Sequence, residues 1–135
     1  MADAAPGLTT RPVDDPAIPD AEALLRRIVR EWIDPNDGTL IASAFLDRRS
    51  GYVSVNRSSL TTREAVLANT AHMGLAALEA RIPRRLDHAV ASDPSPDDAS
   101  HALIVPPASL DTMNKRKAAA RIMAKSAQIT EPIPS

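Results

Sequence analysis

Three histidines, His72, His88 and His101, are the first side chains in this sequence whose chemistry could matter. With Asp87 or Asp93, two of them could hold a metal ion, because imidazole and carboxylate together suit divalent transition metals. Their spacing matches no established ligand motif, however. The simpler reading puts His72 on an exposed helix and His101 at the start of a strand. Ser54, Ser58 and Ser59 lie close to Arg57, but no Gly-x-Ser-x-Gly turn is present to expose a nucleophile. Asp97 and Asp98 form a carboxylate pair in a proline-rich stretch. A general acid needs burial to raise its pKa, so this pair reads as solvated. No residue is therefore assigned a catalytic, metal-binding or cofactor-binding role, and an enzyme is the less favoured reading.

Binding chemistry has more candidates. Arg57, with Asn56, follows a strand and precedes a capped helix, where a guanidinium could hold a carboxylate or phosphate. It could equally pair with Glu64 or Asp87 to lock the fold, and that structural role is the preferred one. His101 is a further candidate for binding. Lys115, Arg116, Lys117 and Arg121, with Lys125, put positive charge on the last helix, and phosphate contacts need only such a face. The plainer alternative is a solvated helix surface. No glycine-rich phosphate loop exists, since the four glycines are scattered singly. The stacking aromatics of an RNA-binding sheet are missing, because Trp32, Phe45 and Tyr52 are the only aromatic residues.

Composition sets the frame for these groups. A length of 135 residues suits one domain with an arm. The core must be aliphatic, and much of it alanine, so helices can approach closely while each contact buries little area. A formal net charge of −1 gives no global attraction to nucleic acid or an anionic membrane. The charge is nonetheless uneven. Asp3, Asp14, Asp15 and Asp20 outnumber Arg11 at the start, and the cations of the last helix outnumber Asp111 and Glu131 at the end. The arm could fold back over the basic helix, or the helix could meet an anionic partner. The absence of cysteine excludes a disulfide framework, a thiolate metal site and a cysteine nucleophile. The N-terminus lacks a signal-peptide pattern, and no stretch approaches the roughly eighteen apolar residues of a membrane span. The expectation is a cytoplasmic protein.

The positioning elements read as follows. Residues 1–19 hold four prolines and few apolar side chains, which predicts an extended, mobile arm. Asp20 caps a helix to about Trp32, with Leu25, Ile28, Val29 and Trp32 on one stripe and Arg26, Arg27 and Arg30 opposite. Pro35-Asn36-Asp37-Gly38 is a turn. Residues 40–46 and 52–56 predict a β-hairpin around Asp47–Gly51, taken as the framework on which the rest packs. Thr61-Thr62-Arg63-Glu64 is a capping box with Thr61 as N-cap and Leu60 as staple, opening a helix to Asn69 or His72. Residues 75–80 favour a strand over a continued helix. Arg84 and Arg85 sit in a connection, residues 88–91 form a short strand, residues 93–98 a loop and residues 101–105 a strand. Ser109 or Asp111 caps a last helix that ends near Ile129, before a tail at 131–135. The fold class is thus α+β, a mainly antiparallel sheet of about four strands with three helices in one domain over 20–130.

One order of short motifs is familiar. Ser43-Ala44-Phe45, Ser54-Val55-Asn56-Arg57, Asp93-Pro94, Ser100-His101-Ala102-Leu103-Ile104 and Ala124-Lys125-Ser126-Ala127 follow one another over residues 39–130. This resembles a loose group of small uncharacterised bacterial proteins. The resemblance implies a small α+β domain of bacterial origin and carries over no activity and no catalytic residue. The expected function is a non-enzymatic interaction domain in a bacterial multi-protein system, with another protein as partner. The alternatives are nucleic-acid binding through the basic helix, or a small enzyme with a His/Asp site between the hairpin and that helix.

Overall fold

Leu24, Arg26 and Ile28 alternate with Leu25 and Arg27 along a strand, β1 (Ala23–Ile28), which lies inside the sheet of a computed structural model describing residues 11–134. A helix is expected here, and the structure corrects it. The apparent helical stripe was misleading, because Leu25 and Ile28 fall on opposite sheet faces. Arg26 disguises the alternation: it points to the core face, where its Nε donates to Ala44 O at 2.9 Å and its Nη1 to Ser54 O at 3.0 Å. Its guanidinium also lies 5.0 Å from the Trp32 ring centroid, within cation–π range. Burial lowers its pKa to about 10, which leaves it charged at neutral pH.

The other strands are β2 (Val53–Arg57), β3 (Gly74–Glu79), β4 (Ala89–Ser92), β5 (His101–Val105) and β6 (Gln128–Glu131). They form one six-stranded sheet in the order β4-β5-β2-β1-β3-β6, with every neighbouring pair antiparallel. The helices are α1 (Arg63–Leu67), α2 (Arg81–Arg85) and α3 (Met113–Ser126). The α+β class and the antiparallel sheet stand as expected, with six strands in place of about four.

The expected hairpin does not form. Its first half is a buried 3₁₀ turn, Ala42–Phe45, in which Ala42, Ala44 and Phe45 are buried. Both alternating faces of that stretch are apolar because it is a plug between sheet and α3, and Ala-Ser-Ala has little strand propensity. β2 pairs instead with β1 and β5. The pattern of β2 itself holds, with Val53 and Val55 buried and Ser54 exposed. The strands expected at 75–80, 88–91 and 101–105 are present with shifts of about a residue.

Helix ends are also corrected. Thr62, not Thr61, caps α1, with its hydroxyl accepting from Ala65 N at 3.1 Å. The helix stops at Leu67, just before Asn69 takes a positive φ of 63°. Arg84 and Arg85, expected in a connection, belong to the single turn α2. Thr112 caps α3 in place of Ser109 or Asp111, and the helix ends at Ser126, short of Ile129. Ile129 and Thr130 are β-branched and continue as β6, whose final residue, Glu131, opens the expected tail.

The core lies between one sheet face and α3 with the 42–45 turn. Leu24, Ile28, Val55, Leu78 and Ile104 meet Phe45, Ala120 and Met123 there. Phe45 is its one fully buried aromatic residue. A smaller cluster on the other face joins Leu25 and Leu75 to Val66 of α1. Gly74 permits the chain end to cross close by, since a Cβ there would lie 2.5 Å from Glu131 O. Among the described residues no helix is long and apolar enough to cross a membrane.

The first half of the arm, 1–10, lies outside the described residues. Its second half is docked, in contrast to the extended arm expected. Ile18 is fully buried in the core. Replacing Ile18 with alanine is expected to cost about 2–4 kcal/mol in urea denaturation, the usual range for emptying a buried aliphatic site. A loss under about 0.5 kcal/mol would mean that this segment does not hold the body together.

Candidate interaction surface

Arg57, Asn56 and His101 come to one end of the sheet, where each bonds to a carboxylate of the fold. Arg57 Nε lies 3.3 Å from both Glu22 carboxylate oxygens, and its Nη2 lies 3.0 Å from Oε1. Ser59 adds its backbone N–H at 3.1 Å and its hydroxyl at 2.5 Å to Oε2. Arg57 therefore has a locking role, with Glu22 as partner and not Glu64 or Asp87. Burial pushes the Glu22 carboxyl up, but the Arg57 and Ser59 hydrogen bonds outweigh it, and the pKa falls below the ordinary value.

Asn56 Nδ2 donates to Asp98 Oδ2 and to Ser100 Oγ, both at 2.8 Å. Asp98 also accepts from the Ser100 hydroxyl at 2.5 Å and backbone N–H at 3.0 Å. The Ser100 hydroxyl, helped by Asn56, holds its pKa low against partial burial. Asp98 is thus a structural acceptor, and the exposed Asp97 is the solvated member of that pair. His101 Nδ1 lies 2.9 Å from Asp93 Oδ2 and 3.1 Å from Asp93 O. These bonds pin the 93–100 loop across β2 and β5. His72 is exposed, while His88 is buried with Nδ1 2.9 Å from Leu86 O. Among the described residues no group of three or more His, Asp and Glu side chains is placed to hold a metal ion. The space between the Asp47–Gly51 turn and α3 is about 10 Å³, room for about one water.

The cations of α3 divide into two sets. Lys115 Nζ reaches Asp111 at 3.1 Å, and Arg116 Nε donates to Leu110 O at 2.9 Å. Lys117, Arg121 and Lys125 are spaced four apart, so they form one exposed stripe. Among the described residues none of these three lies in an ion pair. Lys125 shares a groove with Asp37, whose pKa is lowered chiefly by its Thr39 hydrogen bonds and in small part by that ammonium.

The two edges of the sheet are built differently. At β4, Asp15 N donates to Val90 O at 2.8 Å and Val90 N donates to the Asp14 carboxylate at 2.9 Å. Ser92 completes the cover through the Asp15 side chain. Arg84 of α2 holds this segment in place, donating to Asp14 at 2.9 Å, Asp20 at 2.8 Å, Ile18 O at 2.8 Å and Asp15 O at 2.9 Å. At the opposite edge β6 pairs only with β3. Among the described residues no further backbone hydrogen bond reaches Gln128–Glu131.

Open grooves flank that bare edge. On the α3 side one of about 380 Å³ is lined by Leu40, Ala124, Ala127 and Ile129, with Asp37 and Lys125 at its rim. On the other side one of about 410 Å³ is lined by Ala23, Ala77, Ile82 and Gln128. Ile129 is 37% exposed, so the edge presents an apolar side chain to solvent. Sequence reasoning missed this surface because the helix pattern was extended through Ile129. The available signal was the β-branched pair Ile129-Thr130, one residue ahead of Pro132.

Glu22→Gln should destabilise the fold by about 3 kcal/mol, because it leaves the half-buried Arg57 charge without its counter-charge. The pH dependence follows from the lowered Glu22 pKa. Its contribution is fully present above the unfolded value of 4.5 and is lost as pH falls through the folded value. Denaturation curves across that window should therefore be steeper with pH for the wild type than for the variant, and parallel curves would contradict the pair's role. Comparison of the chain with protein-family models, curated proteins and solved structures finds no match.

Proposed function

We propose that this chain is a non-enzymatic interaction domain, working in a bacterial multi-protein system, and that it takes up a partner's strand along β6. One observation carries the reading: among the described residues β4 is covered by the chain's own backbone and carboxylates, whereas no backbone pairs with the outer side of β6. Bare edges invite pairing with another chain, and folds commonly blunt them. In strand addition, main-chain hydrogen bonds supply affinity and grooves for alternate side chains supply specificity. The grooves on the two sides of β6 fit that arrangement.

The other candidates support less. Arg57 through Nε and Nη2, Asn56 through Nδ2 and His101 through Nδ1 each hold carboxylates of the fold itself. A nucleic-acid role would rest on Lys117, Arg121 and Lys125. Neutralising about three phosphates releases few counterions and gives weak binding.

The test begins with a tagged full-length chain purified from its native cell with a stoichiometric partner. Hydrogen exchange on the complex should show new protection at residues 128–131 and unchanged protection at 89–92. Ile129→Lys, which puts a charge on the edge, should lose the partner, while Ala99→Lys on an exposed loop should keep it. Protection that appears elsewhere with β6 unchanged, or the consistent absence of any partner, would refute the reading.

A further inference from the structure

We propose that the strand added to β6 is acidic, with an apolar side chain seated beside Ile129 and carboxylates on either side of it facing the Arg121–Lys125 end of α3. This rests on the strand-addition reading and names the chemistry of the partner.

Strand side chains alternate, so every second residue of an incoming strand faces the α3 side. One such position meets the apolar floor made by Leu40, Ala124, Ala127 and Ile129. The positions before and after it on the same face approach the rim, where Lys125 stands, with Arg121 one helical turn back. α3 contains no acidic residue, so nothing on the helix itself neutralises this stripe.

Asp37, held by the Thr39 N–H and hydroxyl, is the one carboxylate lining this groove beside Lys125, and the carboxylates paired below have their partners elsewhere. Asp14 and Asp20 bind Arg84, Asp15 meets Ser92, Glu22 holds Arg57 and Glu131 pairs with Arg63. Asp111 serves Lys115, Glu79 serves Arg81 and Asp93 serves His101. The acidic segment 11–20 is therefore docked on α2 and β4, at the sheet edge opposite β6. A second copy of this chain fits less well. A two-fold β6–β6 pairing would place both α3 helices on one face of a continuous sheet and bring like-charged Lys125 rims together. Like charges across an interface disfavour association.

The full-length chain is challenged with a displayed random-peptide library, and the best binder is remade as a free fluorescent peptide. Selected sequences should be rich in Asp and Glu around a central Val, Ile or Leu two residues away on either side. Arg121→Glu with Lys125→Glu should weaken the free peptide about tenfold, the combined effect of losing two exposed ion pairs and adding repulsion. Arg121→Ala with Lys125→Ala serves as the milder variant, and urea denaturation confirms that both fold. Rising salt should weaken binding in step.

Two control peptides separate the claims. A version N-methylated at alternate residues keeps its charge but loses backbone donors. If it binds equally well, strand addition is wrong and only charge attraction remains. A version with Lys in place of its acidic residues tests the charge. If it binds as tightly as the acidic one, strand addition stands and the acidic assignment is wrong. No enrichment from the library overturns both. Tighter binding of a DNA duplex than of any peptide, or self-association in sedimentation that Ile129→Lys abolishes, assigns the surface to that occupant and overturns the proposal.

Discussion

A β-sheet that does not close on itself has two outer strands, and each carries N–H and C=O groups that no neighbour satisfies. Among the described residues of this chain, a covering segment is seen on the β4 side only. Arg84 gathers two carboxylates and two carbonyls from residues 14–20. It thereby lays that stretch along β4, where the Asp15 N–H donates to Val90 O and the Asp14 carboxylate accepts from Val90 N. Ile18 then drops into the core beneath it. The N-terminal segment is thus part of the fold because a guanidinium, a strand edge and an apolar site all select the same path for it.

The interior explains why such polar fastenings matter. Ala42, Ala44, Ala76, Ala102, Ala120 and Ala124 occupy much of the main core. Alanine allows α3 and the 42–45 turn to sit close to the sheet but removes little area from water. Each satisfied hydrogen bond adds a net contribution of about 1 kcal/mol, so clusters such as Glu22–Arg57–Ser59 and Asn56–Asp98–Ser100 weigh heavily beside so modest an apolar core. They also join segments far apart in the chain, and fix how β1, β2 and the 93–100 loop meet.

Local signals were readable where pattern and environment agree. Val53 and Val55 alternate with an exposed serine, residues 101–105 form a short apolar run, and α3 buries Ala119, Ala120, Met123 and Ala124 on one face. The failures share a cause: the segment's environment comes from residues distant in sequence. Arg26 faces the core because Ala44 O, Ser54 O and Trp32 receive it, which nothing within residues 20–32 announces beyond the tryptophan. Residues 42–45 are apolar on all sides because α3, some seventy residues later, covers them. The candidate surface was illegible for the same reason. Lys117, Arg121 and Lys125 were visible as charges, but their position beside a bare edge depends on β6, and β6 depends on where α3 stops.

The stacking of Arg26 against Trp32 has a practical consequence. Trp32 is the chain's single tryptophan, and it sits just past the central strand, bonded through its carbonyl to Ile41 N. Its indole emission therefore arises from one place in the molecule, next to a fixed cation. That gives the protein an intrinsic optical probe of its middle, so unfolding can be followed by fluorescence without attaching a label.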